Sequence, residues 1–255
     1  MAEMVSGFTE CLSEKKMQKH LYAELIGTTL LVFLIGAAAV NSEASGLLTG
    51  AVGSGLSLAV MIYATAGENG SGGKLNPAVT FGLFVTGRLD KVTAVWEMTA
   101  QFLGAFVGGI LLKIAVPHTD LTVPLIAMGG PMTAHPLSTF IWEFITTGFL
   151  VFVVFATVVD KQTRHPNLKV TKFEPFAPLA IGLTVIVGSF AAGPFTGAAM
   201  NPARALGPAL VFWNFKNIWV YLLAGFSGGA SGALLYETCF LEHQAPEEDA
   251  GEASV

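Results

Sequence analysis

The sequence predicts an all-α membrane protein in which six transmembrane helices and two re-entrant half-helices form an inverted repeat. Three observations carry this. The 255 residues are 53% hydrophobic and only 12% charged, where a soluble domain would be about one-quarter charged. The tripeptide Asn-Pro-Ala occurs twice, at Asn76-Pro77-Ala78 and Asn201-Pro202-Ala203. The two halves of the chain also repeat each other around those triplets.

Taken in order, residues 1–20 are too polar for a cleaved signal peptide, so the first apolar span, Leu21–Val40, is expected to act as the membrane signal. A second span, Leu47–Ala66, precedes the first triplet. There Asn76 can cap a helix and Pro77 fits its first position, where a missing N–H costs nothing. The helix it opens, Pro77–Val85, covers about half of a ~30 Å hydrocarbon core. The spans Ala94–Val116, Leu137–Val159 and Phe176–Ala192 follow. The last of these is short but within the usual range. The second triplet opens another half-length run, Pro202–Phe212, and Ile218–Tyr236 is the sixth span. The expected organisation is a cytoplasmic N-terminal segment (1–20), a membrane domain (21–238, with repeats of about 21–116 and 137–238) and a disordered acidic tail (239–255).

The repeat is legible residue by residue. Glu24-Leu-Ile-Gly-Thr-Thr-Leu-Leu-Val-Phe matches Glu143-Phe-Ile-Thr-Thr-Gly-Phe-Leu-Val-Phe, and Phe102-x-Gly104-xxx-Gly108 matches Phe226-x-Gly228-xxx-Gly232. Each half holds an odd number of full spans, so the second half enters the membrane inverted. The half-helices must then dip in from opposite faces, with their N-termini meeting near the midplane. One triplet alone could be an ordinary loop cap; two at matching positions argue against that. Lys15, Lys16, Lys19, Lys74, Arg88, Lys91, Lys161, Arg164, Lys169 and Lys172 fall on the side of the termini, against Lys113, Arg204 and Lys216 on the other. That asymmetry makes the termini cytoplasmic.

The segments Ser71-Gly-Gly-Lys-Leu-Asn-Pro-Ala-Val-Thr80 and Gly197-Ala-Ala-Met-Asn-Pro-Ala-Arg204 resemble the two signature loops of the aquaporin (major intrinsic protein) family. The resemblance covers about Leu21 to Tyr236. Ala192-Gly-Pro-Phe-Thr-Gly197 and Asn217-Ile-Trp-Val-Tyr221 are most similar to the plant tonoplast intrinsic proteins. The resemblance implies an aquaporin-like channel domain, a homotetramer, no cofactor, and a vacuolar membrane in preference to the plasma membrane. It implies passive passage of water, with exclusion of protons and ions.

Opposed helix N-termini each carry about half a positive charge, which repels cations, while the Asn76 and Asn201 amides can donate hydrogen bonds to the oxygen of a passing water. Arg204 at membrane depth is a functional residue by default, and the resemblance makes it the cationic member of an outer selectivity filter. The family's spacing places Leu56, Ser189 and Ala198 beside it. These supply neither the aromatic and His usual in strict water channels nor the Trp, Gly and Phe usual in glycerol facilitators. A wider constriction follows, leaking small neutral solutes such as glycerol, urea or ammonia. Against this, Ala205 and Ala209 replace the Asp and basic residue that glycerol facilitators carry. Ala198 stands where many members have a mercury-sensitive Cys.

Glu24 and Glu143 lie inside their spans. They could form a proton or ion relay, or accept hydrogen bonds from loop N–H groups at membrane depth; the resemblance favours the second, with Gln101 in a similar supporting role. Lys74 replaces a His common in the family and is expected to extend to solvent. The sequon at Asn69 falls on the cytoplasmic side and is expected to stay unmodified. The loop histidines His118 and His135 could line the outer mouth or respond to pH, though loop histidines usually do neither. Gly104/Gly108 and Gly228/Gly232 are helix-packing faces, and Gly53-Ser54-Gly55 lacks the context of a nucleotide site. Cys11 and Cys239 support neither a metal site nor a disulfide framework. No nucleophile set, metal cluster or phosphate loop points to an enzyme, and no basic surface to nucleic acid. The rival reading is an ion- or proton-coupled secondary transporter, which would need carboxylates along its pathway.

Overall fold

The computed structural model describes residues 14–67, 70–116, 135–160 and 174–241. Cys11, Asn69, His118, the acidic tail from residue 242 and four of the basic residues counted above (Lys161, Arg164, Lys169, Lys172) lie outside them. The helices are α1 (Lys15–Ser45), α2 (Leu47–Thr65), α3 (Pro77–Val85), α4 (Lys91–Ala115), α5 (Pro136–Val154), α6 (Ala177–Thr196), α7 (Pro202–Phe212) and α8 (Ile218–Cys239). Among the described residues, six helices are long and apolar enough to cross a membrane; α3 and α7 are the two half-length ones.

Helix boundaries differ from those the sequence predicts, most at α1, α5 and α6. Helix α1 begins at Lys15, because hydropathy marks where the bilayer starts and not where the backbone begins to coil. Helix α6 runs through Pro194 to Thr196; a proline forfeits one intrahelical bond, and in a last turn that loss does not end the helix. Helix α5 continues into a π-turn, Phe155–Val159, closed by the Asp160 N–H donating to Phe155 O at 2.8 Å. Helix α4 starts where Asp90 accepts from the Thr93 N–H at 2.9 Å, an N-cap of the expected type.

Within each repeat one long pair dominates, α1 against α4 and α5 against α8, while α2 and α6 meet across the repeats. These pairs approach closely because small residues face each other. A Cβ on Gly104 or Gly108 would collide with the α1 carbonyls of Leu25 or Thr29, and one on Gly228 or Gly232 with the Phe144 and Gly148 backbone of α5. Gly55 and Gly182 stand in the same relation between α2 and α6. The half-helices α3 and α7 each pack against both α4 and α8, so the triplets are carried at the centre of the bundle.

Candidate functional site: a conduit between two half-helices

Each triplet asparagine has two jobs. Asn76 Oδ1 accepts from the Ala78 N–H at 2.9 Å, capping α3, and its Nδ2 donates across to Met200 O at 2.8 Å. Asn201 Oδ1 accepts from the N–H groups of Ala203 (2.9 Å) and Arg204 (3.2 Å), capping α7, and its Nδ2 donates back to Leu75 O at 2.9 Å. Pro77 and Pro202 hold the first helical positions, with Ala78 and Ala203 fully buried behind them. The two N-termini are thus tied face to face. End to end, the half-helices are about 30 Å long at 1.5 Å per residue, so together they make one more bilayer-thick element. An amide nitrogen carries two N–H groups. One on each asparagine is taken by the opposite loop, and the second has no partner among the described residues.

The residues before the asparagines, Leu75 (φ 50°) and Met200 (φ 49°), are left-handed, a conformation that costs about 1–3 kcal/mol for a side-chain-bearing residue unless its surroundings over-determine it. Here they do. Leu75 N donates to Glu24 Oε2 at 2.8 Å and Met200 N to Glu143 Oε2 at 3.0 Å, while their carbonyls receive the crossing asparagine amides. Glu24 also accepts from the Lys74 N–H (3.1 Å), the Ser71 hydroxyl and Gln101 Nε2 (2.7 Å). Glu143 accepts from Thr196 Oγ1 (2.6 Å) and the Ala199 N–H (3.0 Å). Gln101 Nε2 also donates to Thr80 Oγ1 at 2.8 Å, reaching into α3. Both carboxylates are fully buried and spend their lone pairs on loop donors that would otherwise go unsatisfied at membrane depth.

A cavity of about 330 Å³ runs past both asparagines. Its walls are mostly apolar, from Leu31, Leu58, Ile62, Val79, Ile181 and Val185, with polar stations at Ser54, Lys74, Asn76, Asn201 and Arg204. The buried Arg204 guanidinium is held by backbone carbonyls: Nη1 donates to Ala198 O at 2.6 Å, and Nη2 to Gly197 O at 3.4 Å. Ala198, at φ 50°, lines the same cavity. Ser189 is buried one turn beyond Val185 on α6, outside the cavity wall.

Leu56 is displaced from the place the family's spacing gives it. It is 46% exposed and does not reach the cavity, which Ser54 and Leu58 face from α2. At about 100° per residue, Leu56 lies some 200° from each of them. Counting back from Asn76 through a Gly-rich loop misplaced the position by half a turn. Ser54, noted in the sequence only as lacking the context of a nucleotide site, is a polar α2 side chain that meets the conduit. Lys74 is a second correction: its side chain is 11% exposed, and Nζ lies 3.0 Å from Glu97 Oε1 and donates to Ser71 O. It turns inward because the desolvated Glu97 carboxylate offers a counter-charge. No sequence cue had singled out Glu97. His135 is exposed at the start of α5 and does not line the cavity.

A membrane channel is the class that this arrangement defines. Two capped half-helices meet in a fixed, over-determined crossing, and the carboxylates that a coupled transporter would place along its pathway are occupied in holding loops. The profile of the major intrinsic proteins matches residues 11–236. Over 248 residues the chain is 37% identical to aquaporin TIP2-1 of Arabidopsis thaliana, covering 92% of each protein. It is 40% identical to "Probable aquaporin TIP3-2" of the same plant over 180 residues, 71% of this chain and 63% of that protein. The fold is shared with an aquaglyceroporin from Plasmodium falciparum at a TM-score of 0.76 and 24% identity, over 88% of this chain and 96% of that one. The chain belongs to the major intrinsic protein family and stands among aquaporins of the tonoplast intrinsic protein subfamily. It is a passive channel for water and small solutes, not an enzyme, and a coupled transporter finds no support.

Proposed function

We propose that the conduit carries water as its main substrate, also passes small neutral solutes such as glycerol, urea and ammonia, and excludes protons and ions. The carrying observation is that, among the described residues, none of those lining the conduit with Arg204 is aromatic. Ser54 and Ala198, which line the conduit, are both small, so the constriction is wide, and Ser54 makes it more polar than Leu56 would have. Ala205 and Ala209 favour water over glycerol as the principal solute. Along the apolar walls a water meets few hydrogen-bonding stations and moves freely. At the centre the free N–H of each triplet amide donates to its oxygen and turns its hydrogens away from the midplane. A file of waters so oriented cannot hand a proton across, and the partial positive charge of the facing helix ends, about half a unit each, repels cations together with Arg204.

The basic-residue asymmetry supports cytoplasmic termini, the similarity to tonoplast intrinsic proteins a vacuolar membrane, and family membership a homotetramer. Purified protein in proteoliposomes, followed by stopped-flow light scattering, should give water, glycerol, urea and ammonia fluxes all above those of protein-free vesicles. Water swelling with exclusion of all three solutes would overturn the wide filter.

A further inference from the structure

The two halves build the same clamp with different chemistry. The register that lays Asn76 on Asn201 puts Ser71 opposite Thr196, and the one that lays Phe102 on Phe226 puts Glu97 opposite Tyr221. In the second half, the buried Tyr221 hydroxyl of α8 donates to Thr196 O at 2.8 Å, fastening the loop to the long helix beside it. In the first half, the corresponding carbonyl, Ser71 O, accepts from Lys74 Nζ, and that ammonium lies 3.0 Å from Glu97 Oε1 on α4. Glu97 is 1% exposed, and its oxygens accept no hydrogen bond from any other described residue. Lys74 also lines the conduit, as Asn76 does.

We propose that Lys74 and Glu97 are a positioning pair for permeation. They fasten the first loop to α4 as the Tyr221 hydroxyl fastens the second to α8, and in doing so hold a conduit-lining ammonium against the wall, out of the water path. A tyrosine hydroxyl can tie a carbonyl without adding charge. An ammonium can do so in a dry setting only if a carboxylate compensates it, which is why Lys74 and Glu97 form a unit. The pair is neutral overall, so it adds no net charge to the cytoplasmic half of the conduit. Removing Glu97 alone leaves the ammonium without its counter-charge, and the nearest place where it can be hydrated is the conduit itself.

This inference rests on the cavity being the water path, which wild-type flux above that of protein-free vesicles checks separately. Water permeability per reconstituted channel should be measured for the full-length wild type, Glu97→Gln and the double variant Lys74→Ala/Glu97→Tyr. Glu97→Gln should conduct roughly threefold less than wild type or worse, as expected of a charge released into a narrow pore. The double variant removes the ammonium and supplies a hydroxyl where the other half has one, and it should recover to within about twofold of wild type. A purely packing role for Glu97 would give no such recovery. Wild-type flux through Glu97→Gln, or a double variant no faster than the single one, would overturn the proposal. If Glu97→Gln does not fold, the double variant decides alone: it must fold and conduct at near the wild-type rate.

Discussion

At the scale of single residues, the crossing of the two loops rests on a few buried side chains, and the sharpest tests are there. Glu143 accepts three hydrogen bonds from the second loop. Glu143→Ala leaves those donors unpaired out of reach of water and should cost about 3 kcal/mol or more, read as a lowered midpoint of thermal unfolding in detergent. Ser54 and Leu56 separate the proposed filter from the one that spacing implies. Ser54→Trp should obstruct the conduit and cut glycerol and urea flux, while Leu56→Trp, on the outward face of α2, should leave both near wild type; equal effects would contradict the facing described here. Arg204→Val removes the cationic station and should raise solute flux without abolishing water flux. With Ala198 in place of a cysteine, mercury should inhibit weakly. Strong block that persists after Cys11 and Cys239 are replaced would point to another site.

At the scale of elements, the backbone is brought together by side chains that are not there. Gly55 on α2 and Gly182 on α6 join the repeats through direct backbone contact, each lying against the other's carbonyl. Gly55→Leu should force the helices apart and destabilise the protein by about 1–3 kcal/mol or more, lowering both the unfolding midpoint and the yield of folded protein. Much of this level was legible. Asn-Pro-Ala predicted both half-helices with their observed ends, since Asn supplies a cap and Pro a preset φ at the next position. The glycine pairs predicted where long helices touch. The π-turn after α5 was not legible, because no local residue pattern distinguishes a bond five residues back from one four back.

At the scale of the whole molecule, inversion of the repeat turns two identical local signals into helix ends that face each other partway along one conduit. Glu24 and Glu143 are spent on bracing a fixed crossing, so neither is free to couple transport to an ion. Flux of water and solute should therefore be unchanged when a proton or sodium gradient is imposed across proteoliposomes; acceleration by either gradient would revive the transporter reading.

The sequence by itself determined the spans, the half-helices, the inverted order and the family, because each follows from local patterning or from matches between stretches of chain. It also singled out Glu24, Glu143, Gln101 and Arg204, since polar groups at membrane depth stand out against an apolar background. Which way a side chain faces was decided only by tertiary structure. Two residues along α2 separate Ser54 in the conduit from Leu56 outside it, and the Gly-rich loop between them and Asn76 obscures the count. Lys74 looked like a solvated charge until the fold brought Glu97, on another helix, within 3.0 Å of it. A long, flexible cation goes where its counter-charge is, and only packing sets that place.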